Sequence, residues 1–68
     1  MNSEMIRDVK GRVIGWLDTL HNGDIMVKDY AGRVLGYYRK AQDMTTDYAG
    51  RFLNYGNTCV SLIYRQNP

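Results

Sequence analysis

The sequence lacks most of the features that reinforce small domains. Its 68 residues include one Cys, one His and one Pro. A single Cys excludes an intrachain disulfide, and Cys59 with His21 falls short of the roughly four Cys and His ligands of a structural zinc site. A domain of this size buries only about 60 % of its unfolded-chain surface and commonly needs such reinforcement. Association with another chain is the remaining way to stabilise so small a domain, so we expect a homo-oligomer or a complex with another protein.

Long apolar segments are also absent. No run approaches the roughly 20 apolar residues of a membrane span. Charged residues interrupt the N-terminal stretch MNSEMIRDVKGRV, where a signal peptide would need an apolar region. One Cys is typical of a reducing compartment. We therefore predict a cytoplasmic protein without membrane contact. Its formal net charge of +2 permits an anionic partner without indicating one.

What the sequence does contain is a repeat. The segments MIRDVKGRVIGW (5–16), MVKDYAGRVLGY (26–37) and MTTDYAGRFLNY (44–55) share the pattern Met-x-x-Asp-x-x-Gly-Arg-(Val/Phe)-(Ile/Leu)-x-(Trp/Tyr). Successive copies are offset by 21 and 18 residues. Repeats of about 20 residues indicate one small supersecondary unit used several times. We interpret residues 1–68 as a single hairpin-repeat domain.

Each copy has the sequence signature of a β-hairpin. Asp suits the first position of a tight turn, and Gly suits a left-handed position after it. The predicted turn residues are Asp8, Gly11, Asp29, Gly32, Asp47 and Gly50. Flanking β-branched, aromatic and apolar residues favour strands. No 3.6-residue apolar period lasts two turns, so helix is disfavoured throughout.

The predicted fold is all-β. We expect an antiparallel meander of about seven short strands, near 3–8, 12–18, 24–29, 33–39, 42–47, 51–55 and 58–65. The last segment, TCVSLIYR, is the expected closing strand of a pseudo-symmetric flower or open barrel. Large apolar residues fall on both strand faces, whereas a sheet with one wet face shows cleaner alternation. We therefore expect a second subunit or a ligand to cover one face.

Two stretches resemble a known family. The pattern I-x-D-x-x-G-R-V-I-G (6–15) and the segment NGDIMVKDYAGRVLGY (22–37) resemble bacterial β-flower-like domains, whose short hairpins radiate as petals around a pseudo-symmetry axis. The resemblance covers residues 5–64. Unit three departs from it at Thr45 and Asn54. YD repeats of large toxin shells are a more distant similarity. The β-flower-like family is largely of unknown function, so the resemblance implies a fold and no chemistry.

Repetition also places equivalent side chains in equivalent positions. Arg12, Arg33 and Arg51 are candidates for binding a phosphate or another polyanion. The alternative is that each Arg pairs with a carboxylate at its own hairpin. Trp16, Tyr37 and Tyr55 are candidates for an interface or for stacking on nucleic-acid bases, although aromatics at repeated strand positions more often form a core or an interface.

Catalysis requires several different groups that converge, whereas this repeat supplies the same groups three times. We expect that the protein is not an enzyme and that it binds no cofactor and no metal. The leading hypothesis is a β-repeat interaction or assembly module that forms homo-oligomers. The alternative is a nucleic-acid or anion-binding module that uses the repeated Arg and aromatic positions.

Overall fold

The structure, a computed structural model, describes residues 2–66. Six strands form one antiparallel sheet in sequential order, and one helix follows them. They are β1 (Asn2–Arg7), β2 (Val13–Thr19), β3 (Ile25–Asp29), β4 (Val34–Arg39), β5 (Met44–Asp47), β6 (Phe52–Tyr55) and α1 (Cys59–Gln66). The predicted antiparallel meander of hairpins is confirmed. The sheet is not closed, because β1 and β6 are its two edges.

The prediction of a seventh, closing strand at 58–65 was wrong, because Cys59–Gln66 is helical. The spacing of Cys59, Leu62 and Ile63 places all three buried side chains on one helix face. The backbone N–H of Cys59 donates to Asn57 Oδ1 at 3.1 Å, which satisfies one of the free N–H groups at the helix start. A helix this short owes its stability to the apolar face that it buries. The requirement for an apolar period of two turns therefore failed to identify it in the sequence.

Helix α1 packs across one face of the sheet, over β2, β3 and β4. The buried apolar core consists of Ile14, Val27, Cys59, Leu62 and Ile63. Two strand glycines let the helix approach closely. A Cβ on Gly15 would lie 2.8 Å from Ile63 Cδ1, and one on Gly36 would lie 2.8 Å from Leu62 Cδ1. Both glycines therefore face α1.

The opposite face of the sheet carries the repeated Met and aromatic residues. Side chains alternate along a strand, so Trp16, Met26 and Tyr37, which neighbour Gly15, Val27 and Gly36, point away from the helix. The register then gives three cross-strand pairs, one in each hairpin: Met5 with Trp16, Met26 with Tyr37, and Met44 with Tyr55. We call these six residues the Met–aromatic face. Within residues 2–66, no strand or helix packs on it.

Candidate functional site

All three hairpin tips have the same backbone geometry. In each, the N–H of the Asp donates to the carbonyl of the Arg four residues later at 2.9 Å, and the Gly N–H donates to the Asp carbonyl at 3.0 Å. The glycines have φ between 82° and 87°, in the left-handed region that other residues adopt only at a cost. The Asp and Gly of the repeat therefore shape the turn: Asp8 with Gly11, Asp29 with Gly32, and Asp47 with Gly50.

Each repeated Arg pairs with the Asp of its own tip. The Nε–Oδ2 distances are 3.0 Å for Arg12–Asp8, 3.0 Å for Arg33–Asp29 and 2.9 Å for Arg51–Asp47. The side chains of the three Arg are 72–81 % exposed. No hydrogen bond joins their Nη groups to another of residues 2–66. The guanidinium forks therefore stay accessible at the ends of the hairpins.

Hydrogen bonds within the tip also hold each Asp in its charged form. Backbone N–H donation from the following Arg is the largest cause that lowers the pKa of Asp8 and of Asp47. At Asp29, burial opposes ionisation most strongly, but hydrogen bonds from Arg33 and Ala31 outweigh it and lower the pKa. Since the tips carry paired charges, they expose an Arg without a strong local excess of positive charge.

The three Arg lie in a row rather than in a ring. All three tips are at the same end of the open sheet, because the strands run antiparallel in sequential order. Neighbouring tips are two strands apart, which corresponds to about 9.4–9.8 Å. The links between units lie at the opposite end, where Asp24 accepts a hydrogen bond from the backbone N–H of Lys40 at 2.9 Å and ties the two links together.

Two cavities, which we call the tip clefts, open between neighbouring tips. The first, of about 160 Å³, is lined by Asp8, Arg12, Val13, Ile14 and Tyr30. The second, of about 370 Å³, is lined by the equivalent residues Asp29, Arg33, Val34, Leu35 and Tyr48. In each cleft the Tyr comes from the tip of the following unit.

Tyr30 and Tyr48 were not singled out from the sequence. The sequence does contain a signal for these two Tyr, because the first unit has Val9 at the position where the other two units have Tyr. Within residues 2–66, β1 is an edge of the sheet and no other tip lies beside Val9, which is fully exposed at 103 %. Tyr is thus present only in the units that follow another tip.

The predicted stacking residues Trp16, Tyr37 and Tyr55 lie on the Met–aromatic face and do not line the tip clefts. Charges near them are paired within the chain. Lys28 Nζ lies 2.6 Å from Asp18 Oδ2, and the Arg39 guanidinium lies over the Tyr37 ring at 4.8 Å. The repeated Arg and the repeated aromatics therefore do not line the same cavities, although Phe52, next to Arg51, packs edge-on against Tyr55 with ring centroids 4.9 Å apart.

Nothing in residues 2–66 assembles a metal site or a reactive thiol. No group of three or more His, Cys, Asp and Glu in this range is placed to hold a metal ion. Burial raises the pKa of the Cys59 thiol to about 11. His21 lies exposed in the β2–β3 turn. In the same range, no helix has the length and apolar character needed to cross a membrane.

No protein-family model, curated protein or solved structure matches the chain. The flower arrangement and the resemblance to β-flower-like domains therefore stay predictions. The antiparallel sheet, the Met–aromatic face and the tip clefts are the features from which a function can be argued.

Proposed function

We propose that the protein is a small non-enzymatic β-repeat interaction module whose Met–aromatic face binds a second copy of the chain. The observation that carries this proposal is the set of three cross-strand Met–aromatic pairs on a face that no other element of residues 2–66 covers. Two such faces stack as sheet on sheet at about 10 Å in many proteins. We place this assembly in the cytoplasm, where a single Cys stays reduced.

The face is suited to an identical partner because its charges are already neutralised. Asp18 accepts a hydrogen bond from Ser3 Oγ at 2.7 Å in addition to its ion pair with Lys28. No buried side-chain N or O atom among the described residues is left without a hydrogen-bond partner. Covering an ion pair that keeps both partners avoids the penalty of a lone buried charge. A twofold axis then brings the same apolar patch together from both copies.

The small core gives a thermodynamic reason for the second copy. Only five apolar side chains are buried in the described part of the chain. Met5 and Tyr55, in contrast, are 47 % and 77 % exposed. Burying a large apolar side chain contributes about 1.5–3 kcal/mol, so dimerisation supplies stabilisation that the monomer lacks.

The test is the molar mass in solution, measured by light scattering or sedimentation over a wide concentration range. We expect at least twice the 7.9 kDa of one chain. Tyr37→Asp should shift the protein to monomer, because it places a charge between Met26 and Thr46 on the covered face. Tyr64→Asp, on the exposed side of α1, is the matched control and should leave the mass unchanged. A wild-type protein that stays monomeric at high micromolar concentration would overturn the proposal.

A further inference from the structure

We propose that the hairpin-tip end of the sheet binds a proline-rich, acidic segment of another protein in the polyproline II conformation. The binding surface consists of the two tip clefts and of the exposed shelf beside them at the third tip. We call this surface the tip groove. It adjoins the Met–aromatic face at the third tip, where the Phe52 and Tyr55 ring centroids lie 4.9 Å apart. It contains none of the six residues of that face, so the proposal does not require a second copy of the chain.

The floor and walls of the tip groove are apolar and aromatic. Val34 and Leu35 form the floor of the larger cleft, and the Tyr48 ring forms one wall while 70 % of that residue stays exposed. At the third tip, Phe52 and Leu53 occupy the equivalent floor positions. They are 51 % and 37 % exposed, because β6 is an edge of the described sheet and no neighbouring tip lies beside them. Aromatic-lined grooves of this kind are a common way to dock polyproline II segments.

The spacing of the groove matches the period of such a ligand. Equivalent points in neighbouring clefts are two strands apart, or about 9.4–9.8 Å. A polyproline II helix has three residues per turn and advances by about 3.1 Å per residue, so every third residue returns to the same side after about 9.3 Å. Residues i, i+3 and i+6 of the ligand therefore meet the first cleft, the second cleft and the shelf.

The charges of the tip groove select the chemistry of the partner. The equivalent ranges 8–12, 29–33 and 47–51 contain four Lys and Arg against three Asp. Each Asp is paired through Nε of its Arg, which leaves the two Nη groups to donate to carbonyl or carboxylate oxygens of a ligand. A modest positive excess favours a peptide that carries a few acidic residues. A dense polyanion fits less well, because it would face one carboxylate at every tip.

The experiment uses a synthetic peptide of Pro-Pro-Glu repeats, about nine residues long, so that it spans three turns of the helix. Backbone amide shifts of the isotope-labelled full-length protein report both the affinity and the site. We expect the largest shifts in residues 29–35 and 47–53. A peptide with the same composition, reordered so that no two Glu are three positions apart, should bind at least about fivefold more weakly, since the acidic stripe is lost.

Variants locate the binding surface. Tyr48→Ala should lower the affinity for the Pro-Pro-Glu peptide by about tenfold, which is typical of losing a buried aromatic contact. Arg33→Gln should lower it severalfold, while Arg65→Gln removes the same charge from the end of α1 and should have little effect. Tyr64→Ala is the matched control for Tyr48→Ala. Circular dichroism of each variant confirms that the sheet is intact.

Several outcomes would overturn the proposal. These are equal binding of the ordered and reordered peptides, equal losses in Tyr48→Ala and Tyr64→Ala, and shifts confined to the Met–aromatic face. Tighter binding of a thymidine oligonucleotide than of the peptide, with strong weakening by salt, would instead identify the tip groove as a single-strand nucleic-acid site. Loss of dimerisation with peptide binding retained would count only against the assembly proposed above.

Discussion

At position 15 and its repeat equivalents, 36 and 54, the space beside the residue in the sheet determines whether a side chain fits. A Cβ on Gly15 would lie 2.5 Å from the carbonyl oxygen of Lys28 on the next strand, and one on Gly36 would collide with that of Thr46. In the described residues no strand pairs with β6 on its outer side, because β6 is an edge of the sheet. There the sequence has Asn54, whose Oδ1 accepts a hydrogen bond from Thr58 Oγ1 at 3.0 Å. The departure from the repeat thus has a steric reason.

This contrast predicts the effects of two alanine substitutions. Gly36→Ala should lower the free energy of unfolding by about 1–3 kcal/mol, because the strand or α1 must move to admit the methyl group. Position 54 already holds a Cβ, so Asn54→Ala should cost less, about 1 kcal/mol, because it loses only two exposed hydrogen bonds, one to the Tyr55 carbonyl and one from Thr58 Oγ1. Thermal unfolding followed by circular dichroism compares the two variants. Equal losses would contradict this account of the glycine position.

At the scale of the element, the hairpin tip predicts how stability responds to acid. The pKa of Asp29 lies below its usual 3.8 in the folded protein, mainly because hydrogen bonds from Arg33 and Ala31 outweigh the opposing effect of burial. The charged group therefore stabilises the fold above the unfolded-state pKa, and this contribution is lost as the pH falls through the folded-state value. The wild-type protein should lose stability on acidification below about pH 4.

Asp29→Asn isolates this effect. Its side-chain oxygen can still accept from the N–H groups of Ala31 and Arg33, which now donate at 2.9 Å, but the ionisable group is gone. We expect a lower stability at neutral pH and a smaller further loss in acid than in the wild type, measured by urea unfolding. Glu4→Gln, at an exposed position on β1, is the control and should follow the wild-type profile. An unchanged acid loss in Asp29→Asn would argue against the ion pair.

Helix α1 predicts the reactivity of the single thiol. Cys59 is 1 % exposed, and its burial raises the pKa of the thiol to about 11. The thiolate is the reactive form, so modification by a disulfide reagent near neutral pH should be slow in the folded protein. Leu62→Ala removes a core contact at a cost of about 2–5 kcal/mol and should make the reaction much faster. Fast labelling of the wild type would show that α1 does not stay packed on the sheet.

At the scale of the whole molecule, the sequence pattern was sufficient to predict the antiparallel sheet but not the helix. Asp-x-x-Gly determines each hairpin tip locally, so its repetition predicted three hairpins and their order. Whether VSLIYR forms a strand or a helix depends on the long-range contacts of Leu62 and Ile63 with the strand glycines, which a local pattern does not contain. The tip clefts were missed for the same reason, since Tyr48 meets Leu35 only after neighbouring units pair.

The proposed dimer makes stability depend on protein concentration. If folding and association are coupled through the Met–aromatic face, a hundredfold rise in concentration adds about 2.7 kcal/mol to the stability of the folded assembly. The midpoint of thermal unfolding should then rise by several degrees over that range. Tyr37→Asp should unfold at a lower midpoint that no longer varies with concentration, whereas Tyr64→Asp should keep the wild-type dependence. A wild-type midpoint that stays constant over the same range would mean that one chain folds alone, and that the Met–aromatic face is stable in contact with water.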